Sequence, residues 1–180
     1  MGRVSKPTPE FPFSKGLMPQ EEVLETGKKN KRITIGIPKE LDTTECRIPL
    51  TPEAVEMLVE EGHEIIIEKG AGNLANYTDS NYSEKGGQIV DTPEEVYKSE
   101  IILKVAPLLL NETDYLKENQ VIISSLHLNN STSQYLRNLM QKRVTAIAFE
   151  SIRDKDGEYP LVRAMSSIAG STSILVAAEY

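Results

Sequence analysis

The 180-residue sequence predicts an α/β fold, an open parallel sheet flanked by helices. Two observations carry this. Short β-branched runs recur along the chain with helical stretches between them, which is the order of crossover units. The central runs are also apolar without a break, as in Ile65-Ile66-Ile67 and Ile101-Ile102-Leu103, the composition of strands buried on both faces.

Ile33-Thr34-Ile35-Gly36-Ile37 is the first strand, ended by Pro38, which has no N–H for a ladder. Thr51 caps a helix with Pro52 in its first turn, Ala54, Val55, Leu58 and Val59 as its apolar stripe, and Gly62 as its stop. Glu64 to Glu68 is the second strand. Short helices over 79–85 and 93–98 follow, with a weak strand at 88–90 between them. Residues 101–105, 121–124 and 144–148 supply three more strands. A helix over 131–142 joins the last two, with Tyr135, Leu136, Leu139 and Met140 on one side. Residues 166–180 read as one apolar helix without a glycine stop, a basic last turn or a trailing proline. Such a helix looks cut, so the chain is expected to be a fragment or N-terminal domain of something longer. The alternative is a terminal helix docked on its own sheet.

The first 32 residues differ from the rest, with four prolines and seven Lys/Arg against four Asp/Glu, while the whole chain carries −7. Residues 1–31 are therefore an N-terminal extension, flexible or laid over a neighbour, with one short helix at 20–25. Residues 32–165 form the α/β domain and 166–180 begin an interdomain helix. An acidic chain with 6% aromatics and no Trp is poorly suited to nucleic acid or a membrane surface. No apolar run approaches the ~20 residues of a membrane span. No apolar stretch behind the basic N-terminus makes a signal peptide. Cys46 is the single cysteine and His63 and His127 are the two histidines, which leaves no disulfide and no metal site. A cytoplasmic protein acting on a small molecule is the expectation.

Gly70-Ala71-Gly72 follows a strand, and Asp91 lies 21 residues beyond Gly70, in the outline of a dinucleotide fingerprint. That motif opens a helix directly at the turn, whereas Asn76 to Asp79 interpose a loop with its own cap. The reading is a glycine turn leaving a strand. Arg47 lies between the first strand and the first helix, on the edge where open α/β sheets bind ligands. A guanidinium there can grip a carboxylate through two parallel hydrogen bonds; the alternative is a surface arginine paired with Glu45 or Glu40. His127 follows the strand at 121–124, placed for proton transfer near neutral pH or bonded within its loop. Lys104, at the end of an aliphatic strand, is expected to emerge at the same edge. Arg for a carboxylate, Lys for a carbonyl oxygen and His for a proton would suit a small 2-oxo acid. Hydride chemistry would need a cofactor. His63, in a helix-to-strand turn on the opposite side, reads as structural.

Gly36-Ile37-Pro38-Lys39-Glu40 and Glu45-Cys46-Arg47-Ile48-Pro49-Leu50-Thr51-Pro52 resemble the opening of the alanine dehydrogenase and pyridine nucleotide transhydrogenase family. Gly62-His63-Glu64, Leu103-Lys104-Val105, Leu126-His127-Leu128, Thr145-Ala146-Ile147-Ala148 and Met165-Ser166-Ser167-Ile168-Ala169-Gly170 follow in the family order. The resemblance covers about residues 32–180, and the Leu-His-Leu element is similar to the alanine dehydrogenase branch. It implies a Rossmann-like substrate-binding domain of an NAD-dependent enzyme that interconverts L-alanine and pyruvate. NAD would be bound mainly by a second domain outside this chain, and the full protein would be a homo-oligomer. By resemblance, Arg47 holds the substrate carboxylate and His127 acts at the carbonyl or amine. Met165 and Ser166 approach the nicotinamide. The family's substrate lysine falls at Ala106 here, so Lys104 is the residue offered to polarise the carbonyl. Two alternatives remain: a soluble transhydrogenase subunit, and a ligand-sensing module without catalysis.

Overall fold

The computed structural model describes residues 31–42, 44–127 and 133–179. Residues 1–30 of the extension, with its expected short helix, Leu128 of the Leu-His-Leu element, and Ser131 and Thr132 at the head of the helix expected over 131–142 lie outside the described residues. Six strands, β1 (Thr34–Ile37), β2 (Glu64–Glu68), β3 (Gln88–Val90), β4 (Ile101–Leu103), β5 (Val121–Ser124) and β6 (Thr145–Ala148), form one sheet in the order β3-β2-β1-β4-β5-β6. Every pairing is parallel. The helices are α1 (Pro52–Glu60), α2 (Asp79–Glu84), α3 (Pro93–Val96), α4 (Ser133–Gln141) and α5 (Pro160–Glu179). This is the doubly wound, Rossmann-like α/β order, as the alternation of runs predicted.

Register assigns alternate residues of the strands to the two faces. Ile35 stands opposite Ile65 and Ile101, and Gly36 opposite Ile66 and Ile102. One face therefore carries Ile37, Ile65 and Ile67, buried with Val55 of α1 and Tyr82 of α2. The other carries Ile102 and Ile122, buried with Tyr97, Leu108, Leu116 and with Tyr135 and Leu139 of α4. On that second face a Cβ on Gly36 would stand 2.5 Å from the Val96 carbonyl oxygen and 2.8 Å from Ser99 Oγ. Only a glycine lets α3 settle against β1. The first face is thinner over the far half of the sheet, where Ile101, Leu103, Val121 and Ile123 are half-buried.

Three details depart from the expectations. Helix α5 begins at Pro160 rather than at 166, because proline's fixed φ is already helical and its missing N–H costs nothing in a first turn. On α4 only Tyr135 and Leu139, one turn apart, reach the core, whereas Leu136 and Met140 face outward. Helix α4 rests on the 3-10 turn Glu112–Tyr115, where Asn138 Nδ2 donates to Thr113 Oγ1, and so short a support covers no wider stripe. Finally, α5 has no buried residue, and its 20 residues are long and apolar enough by length and composition to cross a membrane. Counting unbroken apolar runs misses this because Ser166, Ser167, Ser171, Thr172 and Ser173 interrupt it.

Candidate functional site

β1 has β2 on one side and β4 on the other, so the connections leaving β1 and β4 diverge and open a crevice at their carboxyl ends. The loop from β1 to α1 is fastened at its far end. The Tyr82 hydroxyl donates to the Leu50 carbonyl at 2.9 Å, and Ile48 and Leu50 pack on the first-face core. Burial pushes the Tyr82 hydroxyl up to about 12, so it stays protonated as a donor. Thr51 caps α1 by accepting the Ala54 N–H.

That loop presents Arg47. Its Nε and Nη2 donate to the two oxygens of Glu45 at 2.7 and 2.6 Å, and Nη1 reaches Met165 Sδ on α5 at 3.1 Å. The hydrogen bonds from Arg47 hold the Glu45 carboxyl below its usual 4.5. The same pairing raises Arg47, with the more distant Glu40 adding to it. Pairing with Glu45, one of the two options in the sequence, is thus what forms. It occupies the side of the guanidinium that includes Nε. Nη1 and Nη2 each carry a second N–H besides those given to Met165 and Glu45. The side chain is 58% exposed.

Lys104 differs from the expectation of an open cation. It is 1% exposed, with Nζ 2.5 Å from Glu112 Oε1 and 3.3 Å from Glu40 Oε2. Glu112 Oε1 also accepts the Tyr97 hydroxyl at 3.1 Å, and its Oε2 accepts the Leu109 N–H at 2.7 Å. Glu40 Oε1 accepts the N–H groups of Val105 at 2.8 Å and Ala106 at 3.3 Å. Two carboxylates and one ammonium leave a net negative charge in the interior, offset by the three backbone N–H donors. Burial and that charge push the Tyr97 hydroxyl well up. Nearby, burial raises Glu68, whose Oε2 accepts the Lys39 N–H at 2.9 Å. Lys104 turns inward because the segment after β4 continues to pair with β5: its N–H donates to Ile123 O, and Val105 O accepts from Ser125.

His127 stands exposed at the carboxyl end of β5, with φ at +42°. Its N–H and that of Leu126 both donate to Glu150 Oε1. Ser166 lies exposed on α5 next to Met165. Arg47 and Met165 are therefore brought together, whereas Lys104 is turned into the interior as the counter-ion of Glu40 and Glu112. His63, at the amino end of β2, donates its N–H to Leu58 O and holds Glu61 at 3.9 Å, on the side away from the crevice. The glycine turn is closed as well: Asp79 Oδ1 accepts the Gly70 N–H at 2.8 Å, and a short 3-10 turn at Asn73–Ala75 precedes α2.

Sequence reasoning missed Glu40, Glu112 and Glu150 as organising groups. Glu40 had a local signal, being the first carboxylate after the first strand. Glu112 and Glu150 had none, since each reaches its partners only once a connecting loop has folded back.

Residues 36–169 match the family model described as alanine dehydrogenase/PNT, N-terminal domain. An alanine dehydrogenase of Staphylococcus saprophyticus is 38% identical over 146 residues, covering 81% of this chain and 39% of that protein. A solved L-alanine dehydrogenase superposes with TM-score 0.76 at 35% identity, covering 80% of this chain and 40% of that one. A transhydrogenase from Sinorhizobium meliloti shares the fold, with TM-score 0.60 at 23% identity over 68% of this chain and 37% of that one. The chain spans about two fifths of the length of the relatives it matches. A parallel sheet in the order 3-2-1-4-5-6, an arginine loop leaving β1 and a family match over residues 36–169 lead to one conclusion: the chain belongs to the alanine dehydrogenase/PNT family, as its N-terminal domain.

Proposed function

We propose that this domain binds the substrate of an NAD-dependent alanine dehydrogenase, which converts L-alanine, NAD+ and water to pyruvate, ammonium, NADH and a proton. The observation that carries the reading is Arg47, braced from one side by Glu45 and keeping a second N–H on each of Nη1 and Nη2 at the sheet's carboxyl end. A guanidinium so braced can take a small carboxylate in a two-point grip without reorienting. His127, at the end of β5, two strands from β1 along the same carboxyl edge, exchanges a proton with the substrate nitrogen or carbonyl oxygen. Lys104, being enclosed, does not reach the carbonyl.

Of NAD, the described residues suit only the nicotinamide end, through Met165 and Ser166. The Gly70–Gly72 turn offers no phosphate cradle, because Asp79 already occupies the Gly70 N–H. When bound, the cofactor supplies the hydride acceptor, and its phosphates would be held by a second domain. The complete protein would work as a cytoplasmic homo-oligomer.

The test is NADH oxidation by the full-length protein with pyruvate and ammonium. Arg47→Ala is expected to raise the pyruvate KM by about two orders of magnitude, the worth of two charge-assisted hydrogen bonds. Arg47→Lys should recover little of this, since an ammonium lacks the planar fork. Unchanged pyruvate affinity in Arg47→Ala would remove the assignment. The burial of Lys104 favours one second reading, hydride exchange between two nicotinamides, which needs no group to polarise a carbonyl. Transhydrogenation that survives His127→Ala, without turnover of pyruvate, would select it.

A further inference from the structure

The backbone at His127 needs a holder. Its φ of +42° lies in the left-handed region, which a residue with a Cβ occupies only when its surroundings fix it. Two consecutive N–H groups at this bend, those of Leu126 and His127, converge on Glu150 Oε1 at 3.0 and 3.2 Å. Successive N–H groups turned the same way make an anion cradle, and here a carboxylate of the protein fills it. Glu150 comes from the 3-10 turn Phe149–Ser151 directly after β6. Ser124 of β5 pairs with Ala148 of β6, so the two strand ends lie side by side and the reach is short.

Burial pushes the Glu150 carboxyl up, but the N–H donors, together with the nearby His127, outweigh it and leave the group below the usual carboxylate range. It is therefore an anion at neutral pH, the better acceptor for two amides. Its other oxygen is buried and accepts no hydrogen bond among the described residues. Glu40 repeats the device one strand away, with Oε1 on the consecutive N–H groups of Val105 and Ala106.

We propose that Glu150 is the positioning residue for His127, fixing the left-handed bend that presents the imidazole at the carboxyl edge of the sheet. Glu150 acts through His127 and not on substrate. The inference rests on His127 as the proton-handling group, and the test separates the two.

The experiment measures kcat and KM of the full-length protein with pyruvate, ammonium and NADH, alongside the thermal unfolding midpoint of each variant. Glu150→Ala is expected to lower kcat by roughly tenfold or more while the pyruvate KM stays within about threefold. Glu150→Gln keeps an oxygen for both N–H groups and should return kcat to within about threefold of the original. In a His127→Ala background, Glu150→Ala should change kcat by less than about twofold, because the group it serves is gone. Glu150→Asp, with its charge drawn back by one methylene, should also be slow without a change in unfolding midpoint, and it serves if the alanine variant does not fold. Full kcat in Glu150→Ala or Glu150→Asp, no rescue by Gln, or a further loss on His127→Ala would each overturn the inference. A His127→Ala protein with undiminished kcat would instead remove the reading beneath it.

Discussion

Lys104 has 1% of its side chain exposed and two carboxylates within reach, so its charge stabilises the fold only through them. Removing one member of a buried ion cluster costs more than the pair is worth, because the partners stay buried without compensation. Lys104→Met should therefore destabilise the domain by about 3–5 kcal/mol in urea unfolding. A loss below about 1 kcal/mol would show that water reaches Glu40 and Glu112 after all. The Arg47 pair with Glu45 is a different kind of contact. With the guanidinium more than half exposed, it adds on the order of 1 kcal/mol or less to stability, and its importance lies in orientation. Two cations that look alike in sequence thus divide into a packed counter-ion and an exposed ion-pair partner. Direction of the side chain, which the pairing of β4 with β5 sets, makes the difference.

Helices and strands here follow local rules where local chemistry is strong. Thr51 caps α1 and Pro52 starts it, and Thr78 and Asn81 form a reciprocal cap on α2. Both starts were legible. Gly36 shows what was not. A glycine inside a β-branched strand gives no hint of its neighbour, yet the carbonyl of Val96 lies 2.5 Å from where a Cβ would stand. Gly36→Ala must move α3 off β1, and the expected cost is about 1–3 kcal/mol. A variant as stable as the parent in thermal or urea unfolding would mean that α3 shifts freely. The displaced start of α5 and the narrow buried stripe of α4 belong to the same class. Periodicity marks which residues could be buried, but the width of the supporting layer decides which are.

Across the whole molecule, order is uneven. The central strands β1, β2, β4 and β5 carry fully buried residues, whereas α5 carries none. A 20-residue helix without tertiary contacts over most of its length is marginal in water. In hydrogen exchange on this 180-residue chain, amides of the central strands should exchange slowest, near the global unfolding limit. Those of 166–179 should exchange with little protection. Strong protection across α5 would mean that a partner surface, such as a second copy, covers it. Ile101, Leu103, Val121 and Ile123 on the thinner sheet face should report the same covering if it occurs.

By itself the sequence determined the α/β class, the order of elements, the glycine turn that is no phosphate loop, and the family. These follow from period, caps, punctuation and ordered motifs, all of which act over a few residues. Tertiary structure alone decided that Lys104 is enclosed, that Met165 meets Arg47 from 118 positions away, and that Glu150 accepts the N–H groups of Leu126 and His127. Each depends on where a loop or helix returns to the carboxyl edge of the sheet. That return is set by strand order and register, which bring together side chains that no local pattern relates.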